Sequence, residues 1–181
     1  MDRERVDQLI READAHYLKG ELQEALSLYR QVLAEDETVA WAHSRIGAIL
    51  AEFGDEAAAE ASIRRALELD PYLPQAHSNL GNIYYSRGDY QRALAQYQKA
   101  IQLDPRQPIY YENLHAAYKK LGRIAEAVAA FKKAQRLHQE KAREEARAHL
   151  KQAAANLRRG GCLSTTLVVM LTVLLLVIIL R

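Results

Sequence analysis

The chain has 181 residues, with 25 Lys or Arg against 23 Asp or Glu, a net charge of +2. That length admits one ordinary domain or a short repeat array, and the balanced charge gives no signal for nucleic acid. A single cysteine excludes an internal disulfide framework, while only 8 glycines and 4 prolines favour helices over strands and turns. Charge is nevertheless unevenly laid. Residues 1–37 carry net −5, residues 38–122 net 0 and residues 123–159 net +6. An acidic front and a basic rear imply that the rear faces something anionic.

The chain opens on MDRERVDQLIREAD, which is charged and amphipathic, unlike the apolar stretch of a secretory leader. From there a 34-residue period organises the sequence. Three segments begin at Ala40, Pro74 and Pro108, and a weaker copy begins near Val6. The aligned columns include Gly47, Gly81 and His115; Gly54, Gly88 and Gly122; Ala59, Ala93 and Ala127; Ile63, Tyr97 and Phe131; and Ala66, Ala100 and Ala134. Small residues in these columns let two helices approach closely, and the bulky ones, with Leu50, Tyr84 and Tyr118, fill the spaces between them. Asp70-Pro71 and Asp104-Pro105 end helices, because proline disfavours the helical conformation in its predecessor. No such unit buries its apolar faces alone, so the copies must stack.

The stretch Asn79-Leu80-Gly81-Asn82-Ile83-Tyr84-Tyr85, followed by Gly88-Asp89-Tyr90 and Ala93, resembles the tetratricopeptide repeat. The resemblance covers roughly residues 6–141. It implies an all-α fold: a right-handed α-solenoid of three to four helix–turn–helix repeats. The units are a degenerate repeat at 6–39 and repeats at 40–73, 74–107 and 108–141. His115 departs from the expected small residue, so the last repeat must pack more loosely or rotate that helix. His138-Gln139 replaces the closing proline, so the last helix either runs on towards Arg159 or breaks near residue 138.

A basic capping or linker helix is expected over 142–159, with Ala142, Ala146, Leu150, Ala153 and Leu157 as an apolar stripe closing the array. Gly160-Gly161 reads as a hinge. Residues 163–180 contain no charge; fourteen are Leu, Ile, Val or Met. At ~1.5 Å per residue they span roughly 27 Å, close to the ~30 Å hydrocarbon core of a bilayer. Residues 162–181 are therefore expected to form a single transmembrane helix, a tail anchor. Lys151, Arg158 and Arg159 precede it as interface residues, which keeps the repeats cytoplasmic. The 17 arginines against 8 lysines, with abundant alanine, point to a bacterial origin, for which the expected membrane is the inner one.

Signals for chemistry are missing: there is no phosphate-binding loop, dinucleotide fingerprint or H-E-x-x-H. No catalytic residue, metal ligand or cofactor is expected, and the chain reads as a non-enzyme. His43 and His77 recur at one repeat position, which marks them as scaffold rather than metal ligands. Several of the ten tyrosines fall in packing columns, so nucleic-acid stacking is not their expected role. The family resemblance implies that the first helix of each repeat lines a concave groove. Candidates there are Trp41, Arg45, Asn79, Asn82, Tyr85 and Asn113. An asparagine amide offers donor and acceptor and can hold a peptide backbone whatever its side chains. The groove holds too few cations for the two-carboxylate clamp of chaperone-binding family members. The expected function is a membrane-anchored scaffold that binds a peptide or protein partner. The alternative is a structural protein that self-associates through its linker helix and span.

Overall fold

The computed structural model describes residues 3–159. Eight helices and no strand occur among them: α1 (Arg3–Lys19), α2 (Leu22–Glu35), α3 (Ala40–Glu52), α4 (Glu56–Leu69), α5 (Pro74–Ser86), α6 (Tyr90–Leu103), α7 (Pro108–Lys120) and α8 (Ile124–Arg159). Two compact units divide the chain at Gln135 and Arg136. The first is a stack of helix pairs. Within it α1 packs on α2, α3 on α4 and α5 on α6, and successive pairs join through α2–α3, α4–α5 and α6–α7. The odd-numbered helices also touch one another, α3 on α5 and α5 on α7. This is an α-solenoid.

Local chemistry sets the joints. Gly54 and Gly88 adopt φ of +84° and +78°, a left-handed conformation that glycine reaches without a Cβ penalty. One residue later, Asp55 accepts from the Ala58 N–H and Asp89 from the Arg92 N–H, both at 3.1 Å, capping α4 and α6. Between repeats, Asp36, Asp70 and Asp104 each accept the N–H two residues on, at 2.9, 2.9 and 3.1 Å. Pro74 and Pro108 then start α5 and α7, where a missing N–H costs nothing.

Packing follows the columns of the sequence. Ala59, Ala66, Ala93 and Ala100 are completely buried. A Cβ on Gly81 would lie 2.5 Å from the Tyr97 ring, and one on Gly47 would lie 2.9 Å from the Ala59 carbonyl. The third member of that column is His115, whose Nδ1 bonds the Ala127 carbonyl at 2.9 Å while its ring packs 5.4 Å from Phe131. The consequence corrects the expected core. Ile63 is fully buried and Tyr97 is 2% exposed, yet Phe131 in the same column is 46% exposed. An imidazole stands where glycine left room, and nearly half of the burial worth roughly 1.5–3 kcal/mol for such a side chain is forgone. A network on the outer surface ties the second repeat to the third. Arg87 pairs with Glu56 at 3.1 Å and with Glu60, while Arg64 pairs with Glu60 at 2.7 Å and reaches the Tyr84 hydroxyl at 3.2 Å. Arg87, then Arg64, holds the Glu60 carboxyl below its ordinary range.

The second unit begins at Arg136 and contains the rest of α8. α8 continues without a break past His138, so the linker is not a separate helix. With no proline to disfavour helical conformation, the chain has no reason to stop there. Arg136 and Glu140 form an i,i+4 pair at 3.1 Å on it. Of the stripe expected to cap the array, Ala142, Ala146 and Ala153 are exposed and Leu150 is half-buried, while the side chain of Leu157 lies outside the described residues. Among the described residues no helix is long and apolar enough to cross a membrane. The Gly160-Gly161 hinge and the span of 162–181 lie outside them.

Candidate functional site

The A helices α1, α3, α5 and α7 set side chains of each repeat side by side along one face. At its first end the carboxylate of Asp14 on α1 gathers two hydrogen-bond donors and an ion-pair partner. The Tyr29 hydroxyl donates at 2.5 Å, the Trp41 indole N–H at 3.3 Å, and Arg45 Nε lies 3.5 Å away. The Arg45 guanidinium is sandwiched between rings, 4.3 Å from the centre of Tyr17 and 4.2 Å from that of Trp41. Burial, reinforced by the hydrogen bond to Asp14, pushes the Tyr29 phenol well above the ordinary tyrosine range. Trp41 and Arg45 thus lie together as a locked pair, and much of their polarity is spent on Asp14.

The asparagines form a row of cross-links between neighbouring A helices. Asn79 Nδ2 donates to the Ser44 hydroxyl at 3.2 Å and to the Ser44 carbonyl at 3.3 Å. Asn113 Nδ2 donates to the Ser78 hydroxyl and to Asn82 Oδ1, both at 3.2 Å. Asn82 Oδ1 also accepts from the Tyr97 hydroxyl at 2.9 Å, and burial pushes that phenol above its ordinary range. These contacts supply a packing reason for asparagine that the sequence did not disclose. Tyr85 is half-buried and meets Tyr90 edge-on at 5.2 Å, so part of its ring belongs to its own repeat. Tyr110, beside the groove on α7, is buried, and burial together with the charge of Asp104 pushes its phenol up to about 12.

Between these groups lies a hollow of about 340 Å³. Ala48 and Ala51 with Ile63 make it partly apolar; Tyr17, Glu52, Asn79 and Asn82 supply its polar groups. Sequence reading missed Asp14, Tyr17 and Glu52. The 34-residue period held the signal for the first two, since Asp14 aligns with Ala48 and Asn82, and Tyr17 with Ala51 and Tyr85. His43 and His77 have a common backbone task. Their Nε2 atoms bond the carbonyls of Glu37 and Pro71 at 3.0 and 3.1 Å, and the Tyr111 hydroxyl does the same to Pro105 at 3.2 Å. Lys151 is exposed on α8, whereas the side chains of Arg158 and Arg159 lie outside the described residues.

Family models described as tetratricopeptide repeat match residues 10–74, 63–95 and 110–140, and one described as TPR repeat matches 81–122. No curated protein sequence matches the chain. A crystal structure of MamA is 27% identical with a TM-score of 0.62, covering 78% of this chain and 83% of that one. A second MamA crystal structure is 28% identical with a TM-score of 0.60, covering 76% and 75%. The first TPR of Spaghetti (RPAP3), bound to the HSP90 peptide SRMEEVD, shares the fold at 17% identity and a TM-score of 0.59, covering 67% of this chain and 97% of that one. With matches running from residue 10 to residue 140 and a stack of helix pairs in register with them, the chain belongs to the tetratricopeptide repeat family.

Proposed function

We propose that the chain is a protein-interaction scaffold that holds a peptide or an extended segment of a partner protein in its concave face. The supporting observation is the row of Asn–Ser cross-links, which fixes neighbouring A helices so that Trp41, Asn79, Asn82 and Asn113 share one surface. A rigid surface of this kind binds without first having to be ordered, which lowers the entropic cost of association. The solved complex of Spaghetti with an HSP90 peptide is a precedent for the fold, though not for the ligand. The test is a photo-crosslinking residue placed at Asn82, with a control at the exposed Arg65 on the opposite helix layer. Capture in intact cells from position 82 and not from 65 supports the reading; equal capture from both overturns it.

In this reading the charge-free run at 163–180 anchors the scaffold in a bilayer, with Lys151, Arg158 and Arg159 at the cytoplasmic headgroups. Residues 1–159 expressed alone then stay in the soluble fraction, while the full chain resists alkaline extraction from membranes. Alkali-resistant membrane binding by the truncated form overturns the anchor. One observation favours the second reading, self-association: Ile124, Val128 and Phe131 form a stripe on α8 that is 60%, 45% and 46% exposed. Sedimentation of residues 1–159 separates the two, a monomer excluding assembly through the soluble part.

A further inference from the structure

We propose that the hollow between Tyr17, Ala51, Glu52 and Asn82 receives a cationic side chain, lysine or arginine, from the bound segment. The proposal rests on the groove reading above and names the chemistry that the groove selects. At about 340 Å³ the hollow lies at the small end of the ~300–1,000 Å³ range of ligand sites, suited to one long side chain.

Three features give it its sign. Glu52 is the last residue of α3, where the helix dipole already places negative partial charge. Tyr17 stands in the last turn of α1, so a second helix presents its carbonyl end nearby. Among the described residues Glu52 has no ion-pair partner. The groove's own cation, Arg45, stands at the edge of the hollow on the Tyr17 ring, but it is already matched: it is stacked between Tyr17 and Trp41 and its charge is met by Asp14. The apolar part suits the stem of such a side chain. Ala48, Ala51 and Ile63 offer hydrocarbon to its methylenes while the charged end reaches Glu52 at the exposed rim.

The asparagines set the rest of the pattern. The Nδ2 group of Asn79 is committed to Ser44, which leaves its amide oxygen as an acceptor for a donor in the hollow. Asn82 is the reverse: its oxygen already accepts twice, and its NH2 is left to meet a backbone carbonyl of the bound segment. An acidic side chain in the hollow meets Glu52 and two helix C-termini. An apolar one strips water from Glu52 without replacing it.

The test is selection of a randomised peptide display library on the full chain in detergent micelles. Far-ultraviolet circular dichroism of every variant verifies its helical fold. The expected result is a set of binding peptides with Lys or Arg at one fixed position. Glu52→Gln then weakens them about fivefold, the scale of a partly exposed ion pair, and added salt narrows the difference. Glu52→Lys, in a fresh selection, replaces the basic position with an acidic one. Peptides with no enriched basic position, yet blocked when Ala48→Leu and Ala51→Leu fill the hollow, overturn this inference and leave the groove reading standing. If peptides are enriched but filling the hollow changes nothing, the inference fails alone; if no peptide is enriched, the groove reading fails and takes the inference with it.

Discussion

At the level of single residues, asparagine is the instructive case. From sequence, Asn79 and Asn113 are mediocre helix formers in a groove position, each roughly 0.6 kcal/mol worse than Ala. On that basis replacing both by Ala leaves the fold intact or slightly more stable. The hydrogen bonds to Ser44 and Ser78 reverse the sign. Each is worth about 0.5–1.5 kcal/mol net, and removal also leaves a serine hydroxyl without its donor. We therefore expect the double substitution to lower stability by about 1–2 kcal/mol in a urea titration; an unchanged midpoint contradicts the structural role. The period placed both asparagines correctly in the repeat. It was silent about their partners, because a bond between residues 35 apart depends on how one A helix leans on the next.

Helix positions, by contrast, were largely written in the sequence. Gly-Asp turns, Asp-Pro stops and alanine columns are local signals, and α3, α5 and α7 start at Ala40, Pro74 and Pro108. What was not legible is the fate of α8. Its first half aligns with α4 and α6, so Phe131 reads as a core residue like Ile63 and Tyr97. One residue on a different helix decides otherwise: His115 stands where the earlier repeats have glycine, and its ring packs against Phe131. A matched pair of variants tests this. Tyr97→Ala is expected to cost about 3–5 kcal/mol, as for a buried aromatic, and also removes the bond to Asn82. Phe131→Ser is expected to cost about 1 kcal/mol or less, because the ring is already 46% exposed. Equal losses in chemical denaturation show that α8 is covered in solution.

At the scale of the molecule, two hydrophobic clusters share the burden of stability. One gathers Val6, Tyr29, Val32 and Ile49, the other Ile63, Ile83, Tyr97 and Leu114, and Leu50 packs against both. Solenoids are held together by neighbour contacts, so a residue at a joint controls cooperativity as much as stability. Leu50→Ala is expected to broaden the thermal transition or split it in two; a single sharp transition at lower temperature refutes the coupling role. Alkali acts on the whole array. Tyr29, Tyr97 and Tyr110 have phenols raised by burial, Tyr110 to about 12. An unfolded tyrosine ionises near pH ~10, so the stability that these residues contribute is complete below that pH. It falls as pH rises towards the folded values, since only the unfolded chain gives up its protons. Absorbance of tyrosinate should therefore show these three ionising together with loss of helical signal, after the exposed tyrosines. Their ionisation in a fully helical chain contradicts the burial.

The Trp41 sandwich carries a practical consequence. The chain has one tryptophan, and its indole donates to Asp14 on α1 while a guanidinium lies 4.2 Å from its ring. Its emission is therefore a built-in optical gauge of the joint between the first and second repeats, blind to the remaining repeats. Warming the protein while recording fluorescence and helical signal together turns that gauge into a clock for the order of events. If the first repeat peels away early, the emission shifts red while most of the helix is still in place.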